Sequence, residues 1–327
     1  MIKVALIAGG DSGEYEISIK SAGIVAQHIP KEKYQVYLIE IQGHHWVYQH
    51  QELGRIAIDK NDFSLTIDSE KITFDVVFNA IHGTPGEDGK ILAYFEMLRI
   101  PFTSTSSISS ALTFNKAYCN HVVKASEVLV ANSMHLFKEE SYEVDGILEH
   151  IKLPCFIKPN QGGSSVGMSK VSKNEEILPA LEKAFAEDNE VLVEEFIEGR
   201  ELTIGVLPSK GKLLAFPITE IISKKEFFDY EAKYNPDLNQ EITPALIPLS
   251  LEKKIQEISK RLFKVLHLKG VVRFDFIQSI EGLYFLEVNT VPGLSSESII
   301  PQQAKAYGFE MADLFDIMLQ EALASLH

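Results

Sequence analysis

The stretch VVRFDFIQSIEGLYFLEVNTVPGLSSES, residues 271–298, contains two short runs in which apolar and polar side chains alternate. Successive side chains of a strand point to opposite faces, so Arg273 shares a face with Asp275, and Glu287 with Asn289. If the two strands pair as a hairpin, three oxygen-bearing side chains and one guanidinium converge. Asp, Glu and Asn are hard oxygen ligands, suited to Mg²⁺ that keeps positions open for phosphate oxygens. The same pattern also describes the outward polar face of an antiparallel sheet, with Arg273 paired to a carboxylate. Pro292–Gly293 follows at once. By default it is a turn, but its N–H groups lie beside the metal face, where an oxyanion could be stabilised.

Upstream, KPNQGGSSVG (158–167) follows the apolar run Leu153–Pro154–Cys155–Phe156–Ile157. Small residues let backbone N–H groups approach an anion closely, although such Gly/Ser stretches are commonly no more than turns. No G-K-[ST] closes this one and its lysine precedes the glycines, so it is not a Walker loop. Its N–H groups are expected to lack partners until a phosphate supplies them. VLVEEFIEGRE (191–201) reads as a strand ending in acidic residues.

Near the N-terminus, Ile2–Ala8, Tyr34–Ile41 and Phe74–Ala80 read as strands and Ile17–Ile29 as a helix, the signature of a parallel sheet. GGDSGEYEIS (9–18) and HGTPGEDG (82–89) then sit beyond carboxyl ends of strands, where such sheets bind ligands. PFTSTSSISSALT (101–113) reads as a solvated linker. A helix is expected over Glu252–His267, with Ile255, Ile258, Leu262, Val265 and Leu266 on one face.

Bulk composition narrows the classes. At 327 residues, 45% hydrophobic and 24% charged, the chain has room for two or three domains with cores. A formal net charge of −15 argues against non-specific nucleic-acid binding but leaves open an anionic small substrate held by local positive charge and metal. Cys119 and Cys155 show no CxxC spacing and read as buried, reduced thiols. MIKVALIAGG is too short an apolar run for a secretory signal, and no run of apolar residues reaches membrane-spanning length. The expectation is a cytoplasmic protein.

A lysine before a glycine-rich loop, a strand ending in acids, then R-x-D, E-x-N and a P-G turn, in that order, resemble the ATP-grasp ligases. GGDSGEYEIS, HGTPGEDG, DYEAKY (229–234) and NTVPGLSSES (289–298) sharpen the resemblance, over the whole chain, to the D-alanine–D-alanine ligase family. The resemblance implies an α/β, three-domain ATP-grasp fold. Its parts would be an N-terminal Rossmann-like domain (1–103), a central ATP-grasp subdomain (104–190) and a C-terminal subdomain with the Mg²⁺ site (191–327). It implies ATP-dependent joining of two D-alanine molecules through an acyl phosphate, with two Mg²⁺ or Mn²⁺, for peptidoglycan precursor synthesis. The implied partners are D-alanine and ATP, with neither nucleic acid nor membrane, and a homodimeric assembly.

By that resemblance Lys116 and Lys158 would neutralise ATP phosphates. Glu194, Phe196 and Ile197 would frame the adenine, and Glu201 would hold the ribose. Asp275, Glu287 and Asn289 would bind the metals. Glu14 would receive the ammonium of the first D-alanine, with Ser164 and Tyr234 tying Glu14 to the closing loops at 160–167 and about 223–241. His82 would lie near the first carboxylate, with a turn-capping histidine as its alternative. Lys233 and Ser298 would hold the second carboxylate, and Arg273 with the Gly293 N–H would cradle the transition-state oxygens. Glu297 stands where the family often has histidine, and it receives no role. Tyr234 favours a dipeptide product over a depsipeptide; D-serine or D-lactate as second substrate is the alternative, and D-alanine and D-serine are left unranked. A dinucleotide-dependent oxidoreductase would need G-x-G-x-x-G, which Gly9, Gly10 and Gly13 do not supply. A degenerate ATP-binding scaffold would lack metal ligands that are present here.

Overall fold

Parallel pairing brings the two N-terminal glycine turns together. Strand Ile2–Gly9 lies between Tyr34–Gln42 and Val76–Asn79, parallel to both, and helix Tyr15–His28 makes the crossover. Antiparallel strands His45–His50 and Gly54–Ala57 extend the sheet to five. Val4 to Ala8 are fully buried, as a parallel strand covered on both faces requires. The computed structural model describes residues 1–50, 52–223 and 239–324.

A second, antiparallel sheet has the order Ser169–Val171, Cys155–Pro159, Glu190–Glu195, Ser133–Phe137. The third runs Asn239–Ile242, Thr219–Ser223, Arg200–Ser209, Val272–Gln278, Leu283–Asn289, Leu129–Val130, with Lys212–Ala215 also paired to Arg200–Ser209. Helix Leu249–Val265 packs on this sheet through Ile255, Leu262 and Phe263. The expected apolar face is rotated by a fraction of a turn: Phe263 is buried, whereas Val265 is 44% exposed.

The Ser/Thr-rich segment at 101–113 is not a linker. Its second half is helix Ser107–Phe114, followed directly by Lys116–Ala125. Ser106 Oγ caps the first helix by accepting the Ser109 N–H at 3.3 Å, and Thr113 Oγ1 donates to the Ser109 carbonyl at 2.8 Å. Ser109, Ser110 and Thr113 are all buried: Thr113 is satisfied by nearby helical backbone and Ser109 Oγ donates to the distant His267 carbonyl at 3.0 Å, while Ser110 Oγ has no partner among the described residues.

The cores do not follow the expected sequence divisions. Helices Ile299–Tyr307 and Met311–Ala324 cover the first sheet, where Leu314, Phe315 and Met318 share a core with Val4, Leu6 and Phe78. Phe315 meets Phe78 edge-on at 5.8 Å. Tyr34 donates its hydroxyl hydrogen to Asp316 Oδ1 at 2.7 Å and accepts from Gln320 Nε2 at 2.6 Å. Cys119, Val123 and Val128 belong to the core of the third sheet. The expected boundary at 190/191 falls inside strand Glu190–Glu195, which is paired on both sides within the second sheet. Both cysteines are free and buried, and desolvation pushes their thiols up to about 12 and about 11. Among the described residues no helix is long and apolar enough to cross a membrane.

Because the last helix completes the first core, Phe315→Ala should cost ~3–5 kcal/mol of unfolding free energy, read by urea denaturation. Met97→Ala, at an 82% exposed position, should stay within ~0.5 kcal/mol of the parent. Equal midpoints for the two variants would show that the helix does not carry that core.

Candidate active site

In the third sheet Arg273 faces Asn289 and Asp275 faces Glu287 across the antiparallel pair, with an irregularity just after Asp275. All four side chains therefore share one face. Asp275 is 4% exposed and held by donors on both oxygens. Arg273 forks it, Nε to Oδ1 at 2.9 Å and Nη2 to Oδ2 at 2.7 Å, while Thr203 Oγ1 donates to Oδ1 at 2.5 Å. Burial alone would lower the Arg273 pKa, but Asp275, Glu287 and Glu201 more than offset it and hold the guanidinium above its ordinary value. The salt-bridged polar face and the oxygen-ligand face are thus the same surface.

Among the described residues no group of three or more His, Cys, Asp or Glu gathers as metal ligands. Two carboxylates and an amide fit Mg²⁺ only when other oxygens, such as those of phosphates, complete its shell. Sequence reading missed Thr203, which gains its place only because strand Arg200–Ser209 pairs it with Asp275. It also missed the fully buried Gln303, whose amide donates to the Thr203 carbonyl and Thr219 Oγ1 and accepts the Gly205 N–H.

The second sheet carries another wall of expected site residues. Phe156 faces Glu194, so Lys158 lies on the Glu194 diagonal of the same face. Lys158 Nζ donates to Glu194 Oε2 at 2.5 Å, and Asn120 Nδ2 donates to Oε1 at 3.2 Å. Phe196 stands edge-on to Phe156 at 5.9 Å, with the Lys170 ammonium 4.5 Å above its ring, and Ile197 is half-buried beside it. Glu201 lies on strand Arg200–Ser209 opposite Ile277. Lys116 opens its helix and donates from Nζ to the Gly162 carbonyl at 2.8 Å. Asn160, also missed, fixes the start of the glycine loop. It is fully buried, accepts N–H groups of Lys116 and Ala117, and donates to Glu190.

The loop at 158–167 does have partners, contrary to expectation. Ser164 is buried and donates to Glu14 Oε1 at 2.6 Å. A Cβ on Gly163 would come within 2.7 Å of Glu14 Oε2, so the loop backbone lies close against the Glu14 carboxylate. Gln161 N–H reaches Asp188 at 2.7 Å, and Val166 N–H reaches the Gly163 carbonyl at 3.3 Å. Glu14 sits at the N-cap of helix Tyr15–His28, its own N–H on Ser12 Oγ at 3.2 Å.

His82 is buried and both ring nitrogens are engaged. Nδ1 donates to the Val291 carbonyl at 2.8 Å, which leaves Nε2 to accept from Ser21 Oγ at 3.3 Å. Burial lowers its pKa, so the ring is neutral. Glu87, from the same HGTPGEDG stretch, was not singled out in the sequence. One oxygen accepts the Gly83 N–H at 2.8 Å and the other the Val291 N–H at 3.2 Å. Burial and the Glu14 carboxylate push it up to about 8.

Ser298 occupies the N-cap position of helix Ile299–Tyr307, its Oγ 2.8 Å from Ser295 Oγ. A Cβ on Gly293 would come 2.7 Å from Ser298 Oγ, so the P-G turn touches the helix start, an electropositive place for a carboxylate. Glu297 is exposed, in contact with Ser296. Lys233 and Tyr234 lie outside the described residues, as does most of the 223–241 segment. Glu14, Ser164, His82 and Glu87 are thus linked to the turn before Gly293, while Lys116 meets the same glycine loop from its other side.

The chain matches the family model "D-ala D-ala ligase N-terminus" over residues 3–105 and "D-ala D-ala ligase C-terminus" over 122–320. It is 47% identical over 324 residues to the D-alanine–D-alanine ligase of Flavobacterium johnsoniae, covering 99% of this chain and 100% of that protein. Among solved structures it is similar to the VanG D-Ala:D-Ser ligase of Enterococcus faecalis, with TM-score 0.87 and 31% identity over 98% of this chain and 99% of that one. It is similar also to D-alanyl-alanine synthetase A of Vibrio cholerae, with TM-score 0.88 and 28% identity over 99% and 98%.

The raised Glu87 carboxyl has a consequence for stability. An acid whose folded pKa is about 8, against an ordinary value near ~4.3, holds a proton in the folded protein that the unfolded chain has released. Stability from that group is full below the unfolded value and is lost as the pH rises through about 8. The unfolding free energy of the wild type minus that of Glu87→Gln should therefore fall between pH ~4.5 and ~8 and level off above. Paired urea titrations across this range test it, and a difference independent of pH would mean that Glu87 is ionised throughout.

Proposed function

The chain belongs to the D-alanine–D-alanine ligase family, and from that premise we propose that it joins two molecules of D-alanine, driven by ATP, between the two walls described above. One observation carries the reading. Ser164, in the glycine loop, is hydrogen-bonded to Glu14 at the start of helix Tyr15–His28, so a loop suited to phosphates covers an acid suited to an amino group.

A carboxylate is a poor acyl donor and must be activated. An oxygen of the first D-alanine carboxylate attacks the γ-phosphorus, the bond to the ADP oxygen breaks, and an acyl phosphate forms. The amine of the second D-alanine attacks the carbonyl carbon. Phosphate leaves with the C–O bonding pair, and the amine sheds its proton. Glu14 holds the first ammonium protonated and away from reaction. The Gly293 N–H and Arg273 face the oxygens that gain charge, where donors fixed in advance are most effective. Lys116 and Lys158 lie along the phosphates, Lys158 exchanging its Glu194 contact for the nucleotide, while Glu194, Phe196 and Ile197 frame the base and Glu201 the ribose. Asp275, Glu287 and Asn289 fit two Mg²⁺ or Mn²⁺, which when bound would draw charge from the phosphate oxygens during transfer.

Ser298 and the helix it begins suit the second carboxylate, with Lys233 as its cationic partner. Tyr234 favours an amine over a hydroxyl as nucleophile. D-Alanine as second substrate is supported by the naming of the Flavobacterium relative at 47% identity, above the 31% of the D-serine ligase. The enzyme serves cell-wall precursor synthesis. We further take it to be a cytoplasmic homodimer, the arrangement that the motif resemblance suggests.

Phosphate release from ATP with single D-amino acids and with pairs tests the reading directly. D-Alanine alone should give equimolar phosphate and dipeptide. Release without dipeptide, or dipeptide only with D-serine present, would overturn it. Glu287→Gln, which removes one charge from the metal face, should fold and lose phosphoryl transfer; near-normal turnover would remove that residue from the metal site. Ser164→Ala deletes a hydrogen bond to a charged group worth ~1.5–3 kcal/mol. It should lower kcat/KM for D-alanine about ten- to a hundredfold, and unchanged kinetics would separate the loop from Glu14 function.

A further inference from the structure

Val291 is gripped from two directions by one turn. Its carbonyl accepts from His82 Nδ1 at 2.8 Å, and its N–H donates to Glu87 Oε1 at 3.2 Å. The second Glu87 oxygen accepts the Gly83 N–H at 2.8 Å, so the acid also braces the turn from which it acts. Two residues beyond Val291 lies Gly293. His82 is tied in turn to the Glu14 side of the site, since Ser12 Oγ donates to the His82 carbonyl at 2.9 Å. The clasp therefore spans the N-terminal sheet and the end of strand Leu283–Asn289, which otherwise belong to different cores.

A carboxylate is an unfavourable choice for a mere strut here. Glu87 is 8% exposed, and its hydrogen-bond donors are two backbone N–H groups. The charged groups that act on it are the carboxylates Glu14 and Glu287, both repulsive. Burial beside those two carboxylates holds a proton on Glu87 up to about 8, and an apolar contact between the turns would avoid burying a polar group at all. A carboxyl group does place two oxygens in one plane at a fixed separation, each able to accept an N–H, which neither an amide nor a hydroxyl can reproduce. We propose that Glu87 is a positioning residue of the ligation step, clamping Val291 so that the Gly293 N–H stays aimed at the carbonyl oxygen of the reacting D-alanine. The inference rests on the reading of Gly293 as oxyanion donor given above.

Glu87→Gln keeps the shape but turns an NH₂ group toward one of the two N–H donors, so one side of the clasp is lost. The acyl phosphate would still form, because the phosphate-binding wall is untouched. Capture by the second amine would slow, and water would attack the same carbonyl, returning D-alanine and phosphate. With ATP, Mg²⁺ and saturating D-alanine, dipeptide formation should fall about ten- to a hundredfold. KM for ATP should stay within about twofold. Phosphate release should exceed dipeptide severalfold, where the wild type is equimolar. The ratio is the deciding reading, since a loss of folded protein lowers both products together. Glu87→Asp, too short to span both donors, should show the same excess and serves if the Gln variant does not fold. An equimolar ratio in a folded variant, or failure of both variants to fold, overturns the proposal and leaves Glu87 a structural residue. If the wild type itself forms no dipeptide, the ligase reading fails instead.

Discussion

Carboxylates withdrawn from water need donors, and this requirement organises the centre of the molecule. Asp275 is held by the Arg273 fork and by Thr203, Glu194 by Lys158 and Asn120, Glu14 by Ser164, and Glu87 by two backbone N–H groups. Each acid draws its donors from a different stretch of chain, and each such set links elements distant in sequence. The site is acidic within an acidic protein, yet it is built for an anionic nucleotide. In the proposed function, pre-paired lysine and arginine would reconcile the two.

The Lys158–Glu194 pair illustrates how. Both groups are largely buried, with 14% and 5% of their side chains exposed. Desolvation of the lysine has therefore been met during folding. On the proposed reading, a nucleotide would take over the ammonium and offer its exocyclic amine to the acid, replacing one set of charge-assisted bonds with another. On the same reading, the Arg273–Asp275 fork would undergo a similar exchange.

Three sheets meet at this centre, but the cores beneath them are not three consecutive blocks. The final helices complete the hydrophobic core of the N-terminal sheet, and helix Lys116–Ala125 joins that of the third sheet. The second sheet, confined to residues 133–195, has a core largely its own. It carries the glycine loop as an appendage, anchored at Asn160 and touching the start of helix Tyr15–His28 through Ser164. A lobe with a separate core is the one that can shift as a unit, since moving it disrupts few contacts elsewhere.

Local periodicity and turn chemistry were sufficient for the parallel N-terminal strands, the R-x-D and E-x-N faces and the glycine loop, because those signals depend only on neighbours in sequence. The ordered set of motifs likewise points to the ligase family. Other features were closed to such reading. The serines of 101–113 look solvated until Ser106 and Thr113 are seen bonding to helical backbone. Val265 and Phe263 exchange places because sheet packing, not periodicity alone, sets how far a helix is rotated. The 190/191 division falls within strand Glu190–Glu195, which takes its partners from upstream. Thr203, Gln303, Asn160 and Glu87 carry no motif of their own. Their importance comes from a donor or acceptor delivered by chain tens to hundreds of residues away, and only tertiary structure brings such partners within hydrogen-bonding distance.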